Sequence, residues 1–364
     1  MDFFNSLVLN KKNLISNVEL IKKRANGKKI CAMVKANAYG HSIKFVVNSL
    51  KNYIDFFGVA NCVEAFTVRE YTLKKILICG KYNLDKLEEI IKKDISVSIS
   101  SLEEVENIIK ACKKLNKRAY LHIKINTGMN RLGIGKISIF NKLLSKIEKS
   151  DYLVLEGIFS HLFCAENESL SKMQYYKFIE YLNALNKFYE NKNPNKIKEL
   201  LIHLENSTGL FKNIDFLSVC SMVRIGIALY GLEIEKEGLK PVLSLKSKVV
   251  AVQNCKLGDY VGYGRKVLEE DCKLAIIPIG YADGILKEYE ECEIKVRNKF
   301  CKILSICMDM LIIKVQNDVK IGDEVIVISD NEEDKNSINN LAKKQKTISY
   351  QLATNLKHNR LNLE

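Results

Sequence analysis

The run Cys31-Ala32-Met33-Val34-Lys35-Ala36-Asn37-Ala38-Tyr39-Gly40-His41 sets the reading of the whole chain. Its first four residues are apolar or small, the pattern of a parallel strand buried on both faces. The strand delivers a lysine at its C-terminal end, followed by small residues, a tyrosine and a glycine. Apolar walls push a lysine towards its neutral amine, because desolvation disfavours the ammonium. A neutral lysine is the nucleophile required to form a Schiff base with an aldehyde cofactor such as pyridoxal phosphate.

Outward from that strand, short apolar runs alternate with longer amphipathic ones from about residue 10 to residue 235. Strands are expected at Ile30–Lys35, Phe56–Ala60, Ile76–Cys79, Ile95–Ile99, Ala119–Ile125, Leu153–Phe159, Leu200–Leu204 and Val223–Ile227. Between them lie patterns such as Leu14/Val18/Ile21 and Val105/Ile108/Cys112, spaced as one face of a helix. Eight strands alternating with helices predict a closed (β/α)8 barrel over residues 10–235. From about Leu239 the pattern becomes strand and turn, with Lys256-Leu257-Gly258-Asp259 echoed by Lys320-Ile321-Gly322-Asp323. Residues 236–364 therefore read as a mostly antiparallel β-domain.

At 364 residues and 47% hydrophobic, the chain suits two domains. A net charge of +14 is spread along the whole length, without the zinc-finger or RNA-binding signatures that would make it a nucleic-acid footprint. Eleven cysteines occur without a Cys-x-x-Cys pair, so neither a metal site nor a disulfide framework is expected. The N-terminus lacks a signal pattern and no apolar run approaches membrane-spanning length. The expectation is a reduced, cytoplasmic enzyme acting on small molecules, with neither nucleic acid nor membrane as partner.

In a barrel of this kind chemistry gathers at the C-terminal ends of the strands. Lys35 follows the first barrel strand, Arg131 follows the fifth, and His161 ends the sixth. Ser207 follows the seventh, and Arg224 to Ile227 lie on the eighth. Barrel phosphate sites are often built by the loops after the last two strands, which here offer Ser207 and the backbone at Gly226 and Ile227.

The run Val34-Lys35-Ala36-Asn37-Ala38-Tyr39-Gly40-His41 resembles the cofactor-anchoring motif of the alanine racemases, pyridoxal-phosphate enzymes built from a barrel and a β-domain. The resemblance returns in order at Asn126–Gly133, Phe159–His161, Glu205–Ser207, Val223–Gly231, Val261–Gly264, Ile277–Gly284, Cys307–Asp309 and Thr347–Tyr350. It implies interconversion of L- and D-alanine, with D-alanine supplied to peptidoglycan precursors. It also implies that the first strand, residues 1–9, joins the β-domain.

For the site, the resemblance implies that Lys35 carries the cofactor, Tyr39 and Tyr350 complete the phosphate cradle with Ser207, Gly226 and Ile227, and His161 lies beside the cofactor. Arg224 would face the pyridine nitrogen; a guanidinium does not readily surrender its proton, so the ring stays unprotonated. Tyr263 would be the second acid/base opposite Lys35, reaching the partner subunit's site in a homodimer. A phenol ordinarily titrates near pH 10, so cationic neighbours are needed, and His161 and Arg224 are the candidates. Arg131 and the Met308 N–H would bind the substrate carboxylate. Lys124 matches a lysine that some members carbamylate, and Tyr281 and Tyr350 resemble tyrosines that narrow the way into the pocket. Asn126 stands where the family commonly has aspartate, Lys287 where some members have arginine, and Lys357-His358-Asn359-Arg360 only partly resembles the family's C-terminal motif. The rival readings are a serine or broader-specificity racemase, a decarboxylase on the same barrel, and a non-catalytic cofactor-binding protein.

Overall fold

The computed structural model describes residues 4–212, 216–234, 237–263, 266–290 and 292–364. The first three residues of the expected N-terminal strand, the expected domain boundary at 235/236 and Gly264 therefore lie outside the described residues. The chain divides into two compact units. The barrel unit comprises Val18–Ala38 and Ser42–Leu229; the β-unit comprises Met1–Asn17, Tyr39–His41 and Tyr230–Glu364.

After a first strand β1 (Ser6–Leu9), eight parallel strands build the barrel unit. They are β2 (Lys29–Met33), β3 (Phe56–Val59), β4 (Lys75–Ile78), β5 (Ser96–Ile99), β6 (Ala119–Lys124), β7 (Leu153–Phe159), β8 (Leu201–His203) and β9 (Met222–Ile225). From β3 to β8 each pairs with its predecessor, and β9 returns to pair with β2. Between β8 and β9 the ring is drawn together by Ser221 N–H on Ile202 O (2.8 Å) and Arg224 N–H on Glu205 O (3.1 Å). The strands read as continuous apolar runs because both faces are covered: Ile76, Leu77 and Ile78 are all fully buried.

The helix Leu102–Leu115 shows why the intervening segments wind as they do. Ser101 caps it by accepting the Glu104 N–H, Asn116 ends it in a left-handed conformation, and Val105, Ile108 and Cys112 form its buried stripe. Burying Val105 and Ile108 stabilises the unit by about 1.5–3 kcal/mol each.

In the β-unit β1 pairs antiparallel with β10 (Leu243–Lys248) and parallel with β19 (Asn362–Leu363). The rest of the sheet is β11 (Ala251–Cys255), β14 (Cys272–Ile277), β15 (Glu293–Val296), β16 (Lys299–Ile306), β17 (Leu311–Val315) and β18 (Glu324–Ile328). The nine strands run in the order β11-β14-β17-β16-β15-β18-β10-β1-β19, and a separate small ribbon pairs β12 (Tyr260–Val261) with β13 (Lys266–Val267). The echoed Lys-x-Gly-Asp turns are alike in geometry. Asp259 and Asp323 accept the N–H of Lys256 and Lys320, and Gly258 and Gly322 take positive φ.

Two expectations at strand ends are corrected. Lys35 does not lie on the first barrel strand, which stops at Met33; it opens a helical turn, Lys35–Gly40. Ile227 does not lie on β9, which stops at Ile225; it opens a 3-10 turn. In both places the backbone leaves the ladder two residues before the expected strand end.

Candidate active site

Lys35 begins a segment with an unusual backbone. Ala36, Asn37, Ala38 and Tyr39 have φ between 51° and 56°, and Gly40 has φ 79°. The turn is left-handed, and each L-residue in it costs about 1–2 kcal/mol. Several bonds hold it in place. The Glu64 carboxylate accepts the N–H of Ala36 (2.7 Å) and of Ala60 (2.8 Å), Asn37 accepts the Ile43 N–H (2.9 Å), and Ala38 N–H donates to Val34 O (2.8 Å). At Gly40 an added Cβ would lie 2.2 Å from Ala353 O, so glycine is required for space as well as for φ. The result is a rigid exit from the strand at the residue that carries the amine.

Burial, and next the charge of Arg131, hold the Lys35 amine below its ordinary value. Lys124, on β6, is also buried and donates to Cys79 O (3.0 Å); burial first, against a small opposing effect of Cys79, brings it down to about 8. Arg131 is exposed on the loop after β6. Its neighbour Asn126 uses its side chain to accept the N–H groups of Gly128 and Asn130, which shapes the loop.

Arg224, only 5% exposed, is held by Nη1 donating to His203 Nδ1 (2.8 Å) and His203 O (2.7 Å), and by Nη2 donating to Ser160 O (2.6 Å). His161 Nδ1 lies 3.4 Å from Nη2. Nε has no partner among the described residues and remains a donor. Burial, then the charges of Arg224 and Arg131, push His161 well below its usual range. His161 is therefore a poor source of the positive charge expected of it near pH 7.

Ser207 opens the short helix Ser207–Phe211, which is capped by Asn206 accepting the Gly209 N–H. Ser207 Oγ accepts from Gly226 N–H (3.0 Å) and Ala228 N–H (3.4 Å). Both lone pairs are thereby used and the hydroxyl proton is left to donate. The Ile227 N–H, between those two, has no side-chain partner among the described residues.

Within the β-unit, the ring of Tyr39 lies edge-on to Tyr350 (6.4 Å) and tilted against the fully buried Tyr230 (5.2 Å), which stacks on His41. Tyr263 is 81% exposed and Met308 58% exposed. The Met308 carbonyl accepts the Ala282 N–H, but its own N–H has no partner among the described residues.

Family models match most of the chain. The family described as "Alanine racemase, N-terminal domain" matches residues 9–234, and "Alanine racemase, C-terminal domain" matches residues 242–362. The chain belongs to the alanine racemase family. Its reaction is accordingly the isomerisation that interconverts L- and D-alanine.

The alanine racemase of Francisella philomiragia is 34% identical, with 97% of each chain covered, and that of Francisella tularensis is 33% identical over the same shares. Among solved structures, alanine racemase from E. faecalis has a TM-score of 0.89 at 27% identity, covering 100% of this chain and 98% of its own. The Bacillus anthracis alanine racemase with bound L-Ala-P has a TM-score of 0.87 at 27% identity, covering 98% and 94%.

For an alanine racemase, the sequence reading passed over several residues that the structure brings to prominence. Glu64 was hidden as an ordinary first-turn acid after the cap Asn61, although Asn-x-x-Glu is a recognisable helix start. Arg360 was set aside with the divergent C-terminal motif, yet its Nε donates to Asp283 Oδ1 (2.7 Å), and His358 Nε2 lies 2.9 Å from Gly40 O. His122, Glu156 and His203 looked like isolated polar residues in apolar strands; their alternation on inward-facing positions was the only available signal.

Proposed function

We propose that this alanine racemase works with pyridoxal phosphate held on Lys35, with two acid/base residues, Lys35 and Tyr263, acting on opposite faces of the substrate. The observation that carries the reading is the amine of Lys35, kept below its ordinary value by burial and by Arg131 at the end of a rigid strand exit. The other residues fit the group. Ser207 has a hydroxyl proton to donate and Ile227 an N–H, beside Gly226, which suits a phosphate; Tyr39 and Tyr350 add phenols that already lie side by side. Arg224 offers Nε to the pyridine nitrogen, and His161, neutral, packs beside it without adding charge.

When bound, the cofactor supplies an electron sink that acidifies the substrate's α-carbon. The chain's own residues do the rest. Arg224, a donor that does not give up its proton, leaves the ring nitrogen unprotonated and keeps that sink moderate. Lys35 moves a proton at one face and Tyr263 at the other. The exposed Arg131 guanidinium and the unengaged Met308 N–H hold the substrate carboxylate. Tyr263 and Met308 are supplied by a second copy of the chain, so the working form is a homodimer with composite sites, and the enzyme acts in the cytoplasm to supply D-alanine for cell-wall precursors. The exposure of both residues supports this.

The test is borohydride reduction of the loaded enzyme followed by peptide mapping. The label is expected on Lys35; a label on Lys124 or Lys44 overturns the anchoring role.

A further inference from the structure

Arg224 is a buried cation, and among the described residues no carboxylate forms an ion pair with it. Glu205 is the acid nearest in sequence to its acceptors, but both of its carboxyl oxygens are buried without partners among the described residues and burial pushes it up to about 8, so it is uncharged near neutrality. A buried guanidinium without a counter-charge is costly. The structure supplies one by a longer route.

Arg224 Nη1 lies 2.8 Å from His203 Nδ1; His203 Nε2 lies 2.8 Å from His122 Nδ1; His122 Nε2 lies 3.2 Å from Glu156 Oε2. These bonds have only one consistent direction. A guanidinium can only donate, so His203 Nδ1 accepts and its proton sits on Nε2. His122 Nδ1 must then accept, and its proton sits on Nε2, aimed at the carboxylate. Both imidazoles are neutral, in agreement with burial and Arg224 holding His203 well below its ordinary range. Glu156 is the negative end. Burial pushes its carboxyl up, but bonds from His122 and Ser96 (2.5 Å) and an ion pair with the Lys75 ammonium (2.9 Å) outweigh it and hold it below the usual carboxylate range, so its charge is shared between Lys75 and the chain to Arg224.

The chain crosses the barrel interior from β9 through β8 and β6 to β7. Local features are shaped to allow it. The pairing of β6 with β7 slips at Leu121/His122, leaving Glu156 as the extra residue of a bulge, a device that re-aims a side chain. The next residue is Gly157, where a Cβ would lie 2.5 Å from His122 Nδ1. Phe159 stacks on His203 at 4.7 Å and 5°, which fixes that ring.

We infer that Glu156, acting through His122 and His203, is the counter-charge of Arg224 and fixes the direction in which its remaining donor points, which makes these three positioning residues for the reaction. The role of Arg224 towards the cofactor rests on the function proposed above; the order of the chain does not.

The chain has five histidines, so two-bond 1H–15N spectra of 15N-histidine-labelled protein, assigned by single His→Gln variants, read each tautomer directly. In wild-type enzyme, with and without cofactor, His122 and His203 are expected as neutral Nε2–H tautomers. An imidazolium or an Nδ1–H tautomer at either position overturns the inference. In the loaded enzyme, Glu156→Gln is expected to lower kcat by about 10–100-fold, the range for carboxylates that orient a working histidine. The KM for alanine should change less than about threefold, and the visible absorption of the bound cofactor should shift. If only thermal stability falls while kcat and spectrum stay at wild type, the three residues are structural props. A borohydride label away from Lys35 with the expected tautomers would sink the cofactor reading alone. Wrong tautomers with the label on Lys35 would sink this inference alone.

Discussion

Arg224 in the barrel unit keeps 5% of its surface exposed and commits both terminal nitrogens to named acceptors, whereas Tyr263 in the β-unit is 81% exposed. Arg224 has its surroundings built by its own chain: strands β8 and β9, the loop after β7 and the imidazole of His203. Tyr263 and Met308 have nothing comparable around them. A large exposed tyrosine and methionine with an idle backbone N–H beside them are the surface of something unfinished. The contrast teaches that the two proposed halves of the chemistry are prepared differently. One is prearranged within a single chain, and the other, on the proposed reading, is completed by a second copy.

The sharpest way to break this comparison is to separate the halves. Lys35→Ala and Tyr263→Ala should each abolish measurable racemisation, since loss of a positioned acid/base costs about 10²–10⁴-fold and, on the proposed reading, Lys35 also holds the cofactor. Mixing the two inactive variants should restore activity after subunit exchange. A heterodimer has one site with both groups intact and one with neither. No recovery, with heterodimers demonstrated by mass, would mean that Tyr263 serves its own chain or has no catalytic part.

A second test acts on the barrel half alone. Arg224→Glu should slow racemisation by about 10²–10³-fold, the cost of removing one prearranged electrostatic partner. It should also build up a long-wavelength absorbing species and increase transamination, because a carboxylate favours a protonated pyridine nitrogen. Arg224→Lys controls for the loss of a buried cation. A folded, cofactor-loaded Arg224→Glu variant that racemises like wild type would remove Arg224 from its proposed place.

The same contrast explains what was legible in the sequence. The barrel strands could be read because burial on both faces leaves long apolar runs, and Leu153–Phe159 and Phe56–Val59 stand almost where the pattern puts them. Strands β10 and β16 were harder to see, since Ser244, Lys246, Lys299 and Lys302 interrupt their apolar runs. Lys35, Ser207 and Arg224 were marked by position at strand ends. The left-handed turn at 36–40 was not, because alanine and tyrosine carry no preference for positive φ; it exists only because Glu64, Asn37 and Gly40 enforce it. The His203–His122–Glu156 chain was equally hidden, since its order depends on a bulge and on which strands neighbour one another in the closed ring. Local preference cannot report either.

The smallest expected effect concerns a buried carboxyl that the barrel leaves without partners among the described residues. Glu205 is fully buried, and neither carboxyl oxygen has a partner among the described residues. Burial raises it from an ordinary value of 4.5 to about 8, against the opposing charge of Arg224. Between those two values the unfolded chain ionises the group and the folded chain does not. The unfolded state then binds fewer protons, so the folded state loses stability as pH rises from 4.5 to about 8, and the loss is constant above that. The full difference is about 4–5 kcal/mol at 1.36 kcal/mol per pH unit. Glu205→Gln keeps the shape and cannot ionise, so it should match wild type in denaturant melts near pH 4.5 and exceed it increasingly towards pH 8. Racemase activity should change little, since Glu205 contributes only its backbone carbonyl to Arg224. Melting curves that differ by the same amount at both ends of that range would show that Glu205 is ionised or solvated in the folded barrel, and that its interior has no such gap.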